Sequence, residues 1–116
     1  MISTKTAGHY TWAGGSDGWH LLRAPGLSVI QERMPPGAAE TRHLHERARQ
    51  FFYVLAGRLT MELDGARHRI GAGEGLEVPP GAAHQAVNDS DADVHFLVVS
   101  HPPAHGDRVA APPDAA

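Results

Sequence analysis

Apolar side chains occur along the chain in short runs with a period of two, and turn residues bound each run. No segment carries a sustained apolar stripe at i, i+3, i+4 and i+7 with caps, so little helix is expected. Short β-branched and aromatic runs at even spacing are typical of an all-β sandwich or barrel. We therefore predict strands over residues 19–23, 27–34, 40–45, 49–55, 58–64, 66–70, 76–78, 82–88 and 93–100.

The pair Asp64-Gly65 predicts a two-residue hairpin turn between two of these strands. Such a turn favours Asp-Gly because both central residues take a positive φ. The turn fixes the register, and it sets these residues opposite each other: Leu59 and Ile70, Met61 and His68, Leu63 and Ala66, and Glu62 and Arg67. The last pair has opposite charges and suits the solvent face, so the other face is predicted to be buried.

The two ends of the chain differ from its middle. Residues 1–18 carry few apolar side chains and are predicted to form a loose lead-in or an edge strand before a barrel of residues 19–101. Residues 102–116 are rich in proline and alanine, so this tail is predicted to be partly disordered, above all past about Arg108. Residues 102–108 could instead fold over the barrel mouth and bring His105, Asp107 or Arg108 near a bound ion, although a solvated tail is favoured.

Length and composition describe one ordinary domain. A chain of 116 residues suits a single domain. The net charge of −3, without any Lys/Arg cluster, argues against a nucleic-acid partner. No apolar run approaches the ~20 residues needed to span a bilayer, so a membrane-spanning role is excluded. The first residues lack the apolar core of a secretory signal, so a cytoplasmic location is expected.

The candidate chemistry lies in the histidines, since the chain has nine of them and no cysteine. Any metal ion must therefore be held by nitrogen and oxygen ligands. His43 and His45 are two apart on a predicted strand, so both rings point to the same face. Gln50 begins the next strand, and an antiparallel hairpin would return it to their side. His84 follows a Pro-Pro-Gly turn on a strand that must cross the same barrel. Taken alone, His-x-His is more often a solvated strand face than a ligand pair.

The spacing of these residues resembles the cupin superfamily. Its first motif is G-x5-H-x-H-x(3,4)-E-x6-G, and the matching positions are Gly37, His43, His45, Gln50 and Gly57. Its second motif is G-x5-P-x-G-x2-H-x3-N, and the matching positions are Gly73, Pro79, Gly81, His84 and Asn88. The 15 residues between the two motifs match the shortest spacing usual in small bacterial cupins. The resemblance covers most of the chain and implies an all-β, double-stranded β-helix or jelly-roll barrel.

The resemblance also implies one divalent metal ion, with Zn, Ni, Fe and Mn all open, held by His43, His45, His84 and the residue at position 50. Gln50 departs from the glutamate that most cupins carry there. An amide oxygen has similar reach but no charge, so the site should bind hard cations more weakly and leave the ion a stronger Lewis acid. A degenerate, partly occupied site is the alternative. Glu46 could reach the ion instead, but as a turn residue it is expected to face solvent.

Several reactions are compatible with such a site, because cupins include dioxygenases, isomerases, decarboxylases, lyases and non-catalytic binders. We expect a small metal-dependent enzyme acting on a small polar molecule such as a sugar acid, keto acid or enol, with dioxygenase- or isomerase-like chemistry. The alternatives are a non-catalytic sensor or binding module, and a structural barrel with an empty site. No second general base can be named, although one of Gln31 and Glu32 is expected to face inward.

One face of the strand over residues 49–55 predicts a partner. Phe51, Tyr53 and Leu55 alternate with the inward side chains and form an outward apolar stripe. In cupins such a stripe often packs against a second sheet or a second subunit. The resemblance therefore implies a homodimer.

Overall fold

The computed structural model describes residues 1–104 and 106–113, and nearly all of its regular structure is β-strand. A single turn of 3-10 helix, Ala13–Gly15, connects the first two strands. In the described part of the chain, no helix has the length and apolar character required to cross a bilayer. The strands are β1 (Gly8–Trp12), β2 (Ser16–Ala24), β3 (Leu27–Met34), β4 (His43–His45), β5 (Arg49–Ala56), β6 (Arg58–Leu63), β7 (Ala66–Gly71), β8 (Gly75–Val78), β9 (His84–Val87), β10 (Val94–His101) and β11 (Arg108–Ala110).

These strands form two antiparallel sheets. The six-stranded sheet has the order β1-β2-β3-β10-β5-β8, and the five-stranded sheet has the order β11-β4-β9-β6-β7. Side chains that alternate inward from both sheets meet in one core, which is the arrangement of a two-sheet barrel. The core side chains that are fully buried include Met34, Val54, Leu59, Met61, Val94 and Phe96. The predicted all-β barrel is confirmed.

The predicted hairpin is confirmed in every pair, from Leu59 opposite Ile70 to Leu63 opposite Ala66. Asp64 and Gly65 have φ values of 49° and 90°, as the turn requires. One detail differs, because the carboxylate of Glu62 pairs with Arg42 rather than with Arg67.

The strand that carries two of the histidines is shorter than predicted. Its ladder covers only His43–His45 rather than residues 40–45. Ala39 forms an isolated bridge to Val87, and the Glu40 carboxylate accepts a hydrogen bond from the Ala86 N–H at 2.8 Å. The Ala86 N–H, which would bond to a backbone carbonyl in a regular ladder, therefore donates to the Glu40 side chain.

The two ends are better ordered than the composition suggested. Strand β1 pairs with β2 at the edge of the six-stranded sheet, which is the edge-strand form of the predicted lead-in. The disorder predicted past about Arg108 is wrong for Arg108–Ala110, because these residues pair with the open edge of β4. Composition gives no sign of such backbone pairing. His105 and residues 114–116 lie outside the described residues.

Two motif residues have the mechanical roles that their types suggest. Gly57 has a φ of 81°, and a Cβ there would lie 2.4 Å from the Asp93 carbonyl oxygen, so only glycine fits. Asn88 is fully buried and donates through Nδ2 to the carbonyl oxygens of Met34 and Ala92, each at 2.8 Å. Its side chain ties the turn before β10 to the end of β3.

Candidate metal centre

Three histidines meet inside the barrel at one end of the five-stranded sheet. His43 and His45 extend from β4 to the same side, and His84 lies on the neighbouring β9, directly opposite His43 in the ladder. One ring nitrogen from each lies within 4.8 Å of the others. All three side chains are buried, with exposures of 4%, 7% and 0%. The common face that strand spacing predicted for His43 and His45 is therefore observed, and the pairing of β4 with β9 brings His84 to it.

Hydrogen bonds orient two of the rings. His43 Nδ1 lies 2.7 Å from the Thr41 carbonyl oxygen, and His84 Nδ1 lies 3.0 Å from the Ala82 carbonyl oxygen. A ring nitrogen facing a carbonyl oxygen carries the proton, so the other nitrogen of the neutral ring keeps a lone pair. In metal sites, backbone carbonyls fix imidazole ligands in the same way.

Three buried polar atoms have no hydrogen-bond partner within the described structure: His45 Nδ1, Gln50 Oε1 and His84 Nε2. All three belong to residues that the sequence proposed as ligands. An unpartnered buried polar atom costs about 1–3 kcal/mol, so three together need a reason. A divalent cation would satisfy the acceptors, because imidazole nitrogen and amide oxygen are established donors to Zn²⁺, Ni²⁺, Fe²⁺ and Mn²⁺. The donor set fits a metal ion.

Gln50 presents its oxygen because its nitrogen is engaged. It lies on β5 beside Ser100 of β10, and its Nε2 donates to the Ser100 hydroxyl at 3.0 Å. This bond distinguishes the two ends of the amide and leaves Oε1 for another partner. Gln50 is 7% exposed and lines the same cavity as His43 and His45.

The charge state of the rings also suits ligands. Burial lowers the pKa of His43 to about 3, and neighbouring His84 and Arg108 act in the same direction. Burial lowers the pKa values of His45 and His84 as well. All three rings are therefore neutral at pH 7, which is the form that binds a cation.

Asp107 fixes the turn between the second histidine and Gln50. It is 6% exposed, and its Oδ2 accepts hydrogen bonds from the N–H groups of Arg47 at 3.0 Å and Ala48 at 2.8 Å. Burial alone raises the pKa of Asp107, but these N–H groups outweigh it and hold the value below the ordinary one. Glu46 in the same turn is exposed, as predicted.

A cavity of about 630 Å³ opens beside the histidines. Apolar walls come from Ile30, Phe52 and Val98, and charged side chains of both signs line the rest. Pro103, Ala104 and Arg108 also line it, so residues of the 102–108 segment do lie along the barrel mouth and the favoured solvated tail is wrong for them. His105 falls outside the described residues. The charged, tyrosine and histidine side chains beyond the proposed ligands are Tyr10, His20, Arg23, Glu32, Glu40 and Arg108.

Two carboxyl groups of the cavity were not identified from the sequence. Glu32 is the inward member of the Gln31/Glu32 pair, and Glu40 places Oε1 3.9 Å from His43 Nδ1. Burial raises the pKa of Glu32 to about 7 and that of Glu40 to about 8. Strand alternation limited the first choice to two residues, but nothing in the sequence indicated that either carboxyl group would be desolvated.

His9, His20 and His68 belong to neither motif, so the sequence alone predicts surface or edge positions for them. His68 is exposed, and His9 lies on the edge strand β1, 2.7 Å from Asp17. His20 departs from the prediction. It lines the cavity, and its ring centroid lies 5.0 Å from that of Tyr10.

Comparison with known proteins matches the chain to one family model and to curated proteins of similar sequence. A family model described as "Cupin domain" matches residues 30–100. Protein SchB of Streptomyces halstedii is 29% identical over 87 residues, which are 75% of this chain and 56% of SchB. Polyketide synthase CurC of Streptomyces cyaneus is 32% identical over 72 residues, which are 62% of this chain and 44% of CurC. The chain thus spans about half the length of the curated relatives it matches.

Similar solved structures include that of the polyketide cyclase RemF from Streptomyces resistomycificus. The two superpose with a TM-score of 0.82 at 19% sequence identity, over 99% of this chain and 87% of RemF. At this level of identity the likeness shows the fold.

Proposed function

The chain belongs to the cupin family, and from that membership and its buried histidine cluster we propose that it is a divalent-metal-dependent enzyme. We place its substrate among small polar metabolites whose carbonyl group can enolise, such as a keto acid or sugar acid. His43, His45 and His84 would hold the ion, with Gln50 as fourth ligand. One observation carries the proposal: His45, Gln50 and His84 each bury a nitrogen or oxygen atom that has no partner among residues 1–104 and 106–113.

A divalent ion held there supplies Lewis acidity toward a carbonyl or enol oxygen. The other residues of the cavity match the same substrate class. Arg23 and Arg108 line it, and their positive charge suits a substrate carboxylate. The apolar walls offer surface for the carbon skeleton of such a substrate, and the cavity of about 630 Å³ falls in the range typical of small-molecule sites.

A polyketide intermediate is a second candidate within this class. CurC is a polyketide synthase by name and RemF a polyketide cyclase, and a poly-carbonyl chain also reacts through its enol forms. The apolar walls at Ile30, Phe52 and Val98 favour a substrate with carbon skeleton to bury. Because the match covers about half of each curated relative, we propose the shared enol chemistry and not their whole activity.

Metal binding is tested first. The protein is stripped with a chelator, reloaded separately with Zn²⁺, Ni²⁺, Fe²⁺ or Mn²⁺, and analysed for metal content after gel filtration. We expect one ion per chain in wild type and in His68→Ala, whose histidine is exposed, and none in His84→Ala. Wild type that retains none of the four ions would leave a structural barrel as the remaining interpretation.

Catalysis is tested on the loaded protein. We expect it to accelerate exchange of the methyl protons of pyruvate with D₂O, followed by proton NMR, since exchange requires enolisation. His84→Ala should lose this activity and His68→Ala should keep it. Metal-loaded wild type that binds one ion but exchanges no faster than free ion would support the alternative function, a non-catalytic sensor or binding module.

A further inference from the structure

A tyrosine and a glutamate form a hydrogen-bonded pair on the cavity wall contributed by the six-stranded sheet. The Tyr10 hydroxyl donates to Glu32 Oε2 at 2.9 Å, and both residues line the cavity together with His43 and His45. Glu32 lies on β3, opposite Gly18 of β2 and Phe96 of β10. Glu32 is half-buried and lines the cavity.

The neighbouring strand makes room for this pair. A Cβ on Gly18 would lie 2.1 Å from Tyr10 Cζ and 2.4 Å from its hydroxyl oxygen, so the phenol ring occupies the space that any other residue would fill. The ring also packs against His20, with centroids 5.0 Å apart. The direction of the hydroxyl toward Glu32 is thus fixed by packing.

The partner of Glu32 is a neutral donor, whereas Asp17, the other carboxylate on β1, β2 and β3, binds a cation. Asp17 pairs with Arg33 at 2.7 Å. A carboxylate bound to arginine is a weak base, because the cation stabilises its charged form. A hydroxyl donor orients the carboxylate and stabilises its charge much less.

Resting on the proposed function, we propose that Glu32 is the catalytic residue that removes a proton from the carbon next to the substrate carbonyl, and that Tyr10 positions it. The C–H bond breaks, and its electron pair forms the carbon–carbon double bond of the enolate. The π pair of the carbonyl moves onto its oxygen, and the proton goes to a carboxylate oxygen of Glu32. Return of a proton to the same carbon reverses the step, and nothing is oxidised or reduced.

The basicity of Glu32 suits this role. Burial raises its pKa to about 7, and the Tyr10 hydrogen bond and the charge of Arg108 restrain the rise. Just above pH 7 the group is therefore a carboxylate with more proton affinity than an exposed one. The titratable or charged groups that line the cavity with it are Tyr10, His20, Arg23, Glu40, Arg108 and the pair His43 and His45.

Glu40 is the competing base, and its contacts assign it another task. Its Oε2 accepts a hydrogen bond from the Ala86 N–H at 2.8 Å, and its Oε1 lies 3.9 Å from His43 Nδ1. Oε2 is thus held by the backbone of β9, and Oε1 lies near a proposed ligand whose Nδ1 already faces the Thr41 carbonyl oxygen. Glu40 is held beside the histidine, and Glu32 remains the carboxyl group placed on the cavity wall next to Tyr10.

The test compares wild type, Glu32→Gln, Tyr10→Phe and Glu77→Gln, a control glutamate on the exposed face of β8. All are loaded with the same ion, and methyl exchange of pyruvate with D₂O is followed by proton NMR. We expect Glu32→Gln to slow exchange about 100-fold or more while metal content and the Kd for pyruvate stay unchanged. Glu77→Gln should match wild type. In Tyr10→Phe the exchange rate should rise at a higher pH than in wild type, because the hydrogen bond that restrains the pKa of Glu32 is lost.

A second readout does not depend on turnover. In protein labelled with ¹³C at glutamate carboxyl groups, the Glu32 signal should titrate near pH 7, move when pyruvate binds, and titrate higher in Tyr10→Phe. The inference is overturned if the Glu32 signal titrates with the pKa of an ordinary glutamate and does not shift when pyruvate binds. Full exchange activity in Glu32→Gln also overturns it, and in that case the proposed function still holds. Loaded wild type without exchange overturns both.

Discussion

At the scale of single residues, Gln50 sets the charge of the candidate metal centre. With three neutral imidazoles and one amide oxygen, the proposed ligands contribute no negative charge. The Ser100 hydroxyl holds the amide nitrogen at 3.0 Å and so fixes which end of the side chain faces away from β10. Carboxylate oxygen is the preferred donor for the harder ions among the four candidates.

Gln50→Glu is therefore expected to bind Mn²⁺ at least about tenfold more tightly than wild type, equivalent to about 1.4 kcal/mol. The substitution adds a negative charge at the ligand position with little change in size. Isothermal titration of the metal-free protein measures the affinity. Gln31→Glu adds the same charge on β3 and should leave the Kd unchanged. Equal affinities in wild type and Gln50→Glu would show that residue 50 is not a ligand.

Glu40 makes the stability of the metal-free protein depend on pH. Burial raises its pKa from 4.5 to about 8, so between these values the folded protein holds a proton that the unfolded chain has lost. This contribution to stability is complete below pH 4.5 and is lost as pH rises through 8.

In Glu40→Gln the side chain cannot ionise, so this loss disappears. We expect the melting temperature of the metal-free variant to fall less than that of wild type between pH 5 and pH 8. Titrating groups that do not interact with Glu40 act in both proteins and cancel in the difference, whereas Glu32, whose charge also raises the pKa of Glu40, does not cancel fully. Glu77→Gln, at an exposed position, should follow wild type. Parallel curves for wild type and Glu40→Gln would contradict the desolvation of Glu40.

The positions of the candidate ligands were predictable where spacing along the sequence determines them. His43 and His45 share a strand face by alternation alone, and His84 was found from the motif in which it lies. Tyr10 and His20 were missed, because they enter the cavity through β1 and β2, whose sequences carry no spacing that indicates a site. Their positions depend on sheet order, which alternation along one strand does not determine.

At the scale of elements, the turn between β4 and β5 determines how His45 and Gln50 stand relative to each other. Asp107 holds that turn from a distant part of the chain, through two backbone N–H groups and the Arg47 side chain at 3.6 Å. The exposed guanidinium adds little, and the buried backbone bonds carry most of the effect.

Asp107→Ala is expected to lower the free energy of unfolding by about 1–3 kcal/mol, because it leaves the Arg47 and Ala48 N–H groups without their acceptor. It should also weaken metal binding, since the turn between two ligands loosens. Urea unfolding and metal titration measure the two effects. Asp91→Ala, in an exposed turn, is the control. Wild-type values for Asp107→Ala in both measurements would show that the turn holds its shape unaided.

Element prediction succeeded where the pairing is local. The β6–β7 hairpin follows from one dipeptide and from alternation on both sides of it. Strand β3 was predicted with both of its bounds, because turn residues flank it. Strand β11 was missed, since its pairing with β4 joins residues that are distant in the chain and its three side chains are exposed. An exposed strand held by backbone bonds leaves no hydrophobic pattern to detect.

At the scale of the whole molecule, the outer face of the six-stranded sheet carries the predicted stripe. Phe51, Tyr53 and Leu55 are 43%, 37% and 43% exposed, and the first two rings stack with centroids 6.4 Å apart. A cluster of large apolar side chains on a strand face is a common feature of subunit interfaces. The homodimer and the cytoplasmic location stay predictions.

The double variant Phe51→Glu/Leu55→Glu should convert a wild-type dimer into a monomer, because four like charges would face each other across a two-fold interface. Sedimentation equilibrium measures the mass. His68→Glu, an exposed substitution on β7, should leave the dimer intact. A wild type that sediments as a monomer at every concentration would show that the stripe does not form a dimer interface.

The pairing of β11 with β4 has a consequence for how the protein is made. His45 lies opposite Arg108 in that ladder, and the turn next to it depends on Asp107. A nascent chain whose synthesis has just passed His84 already contains every proposed ligand but lacks the strand that braces two of them. Ions that reach the chain on the ribosome would meet a looser cluster, and tight capture would come only when β11 has left the exit tunnel.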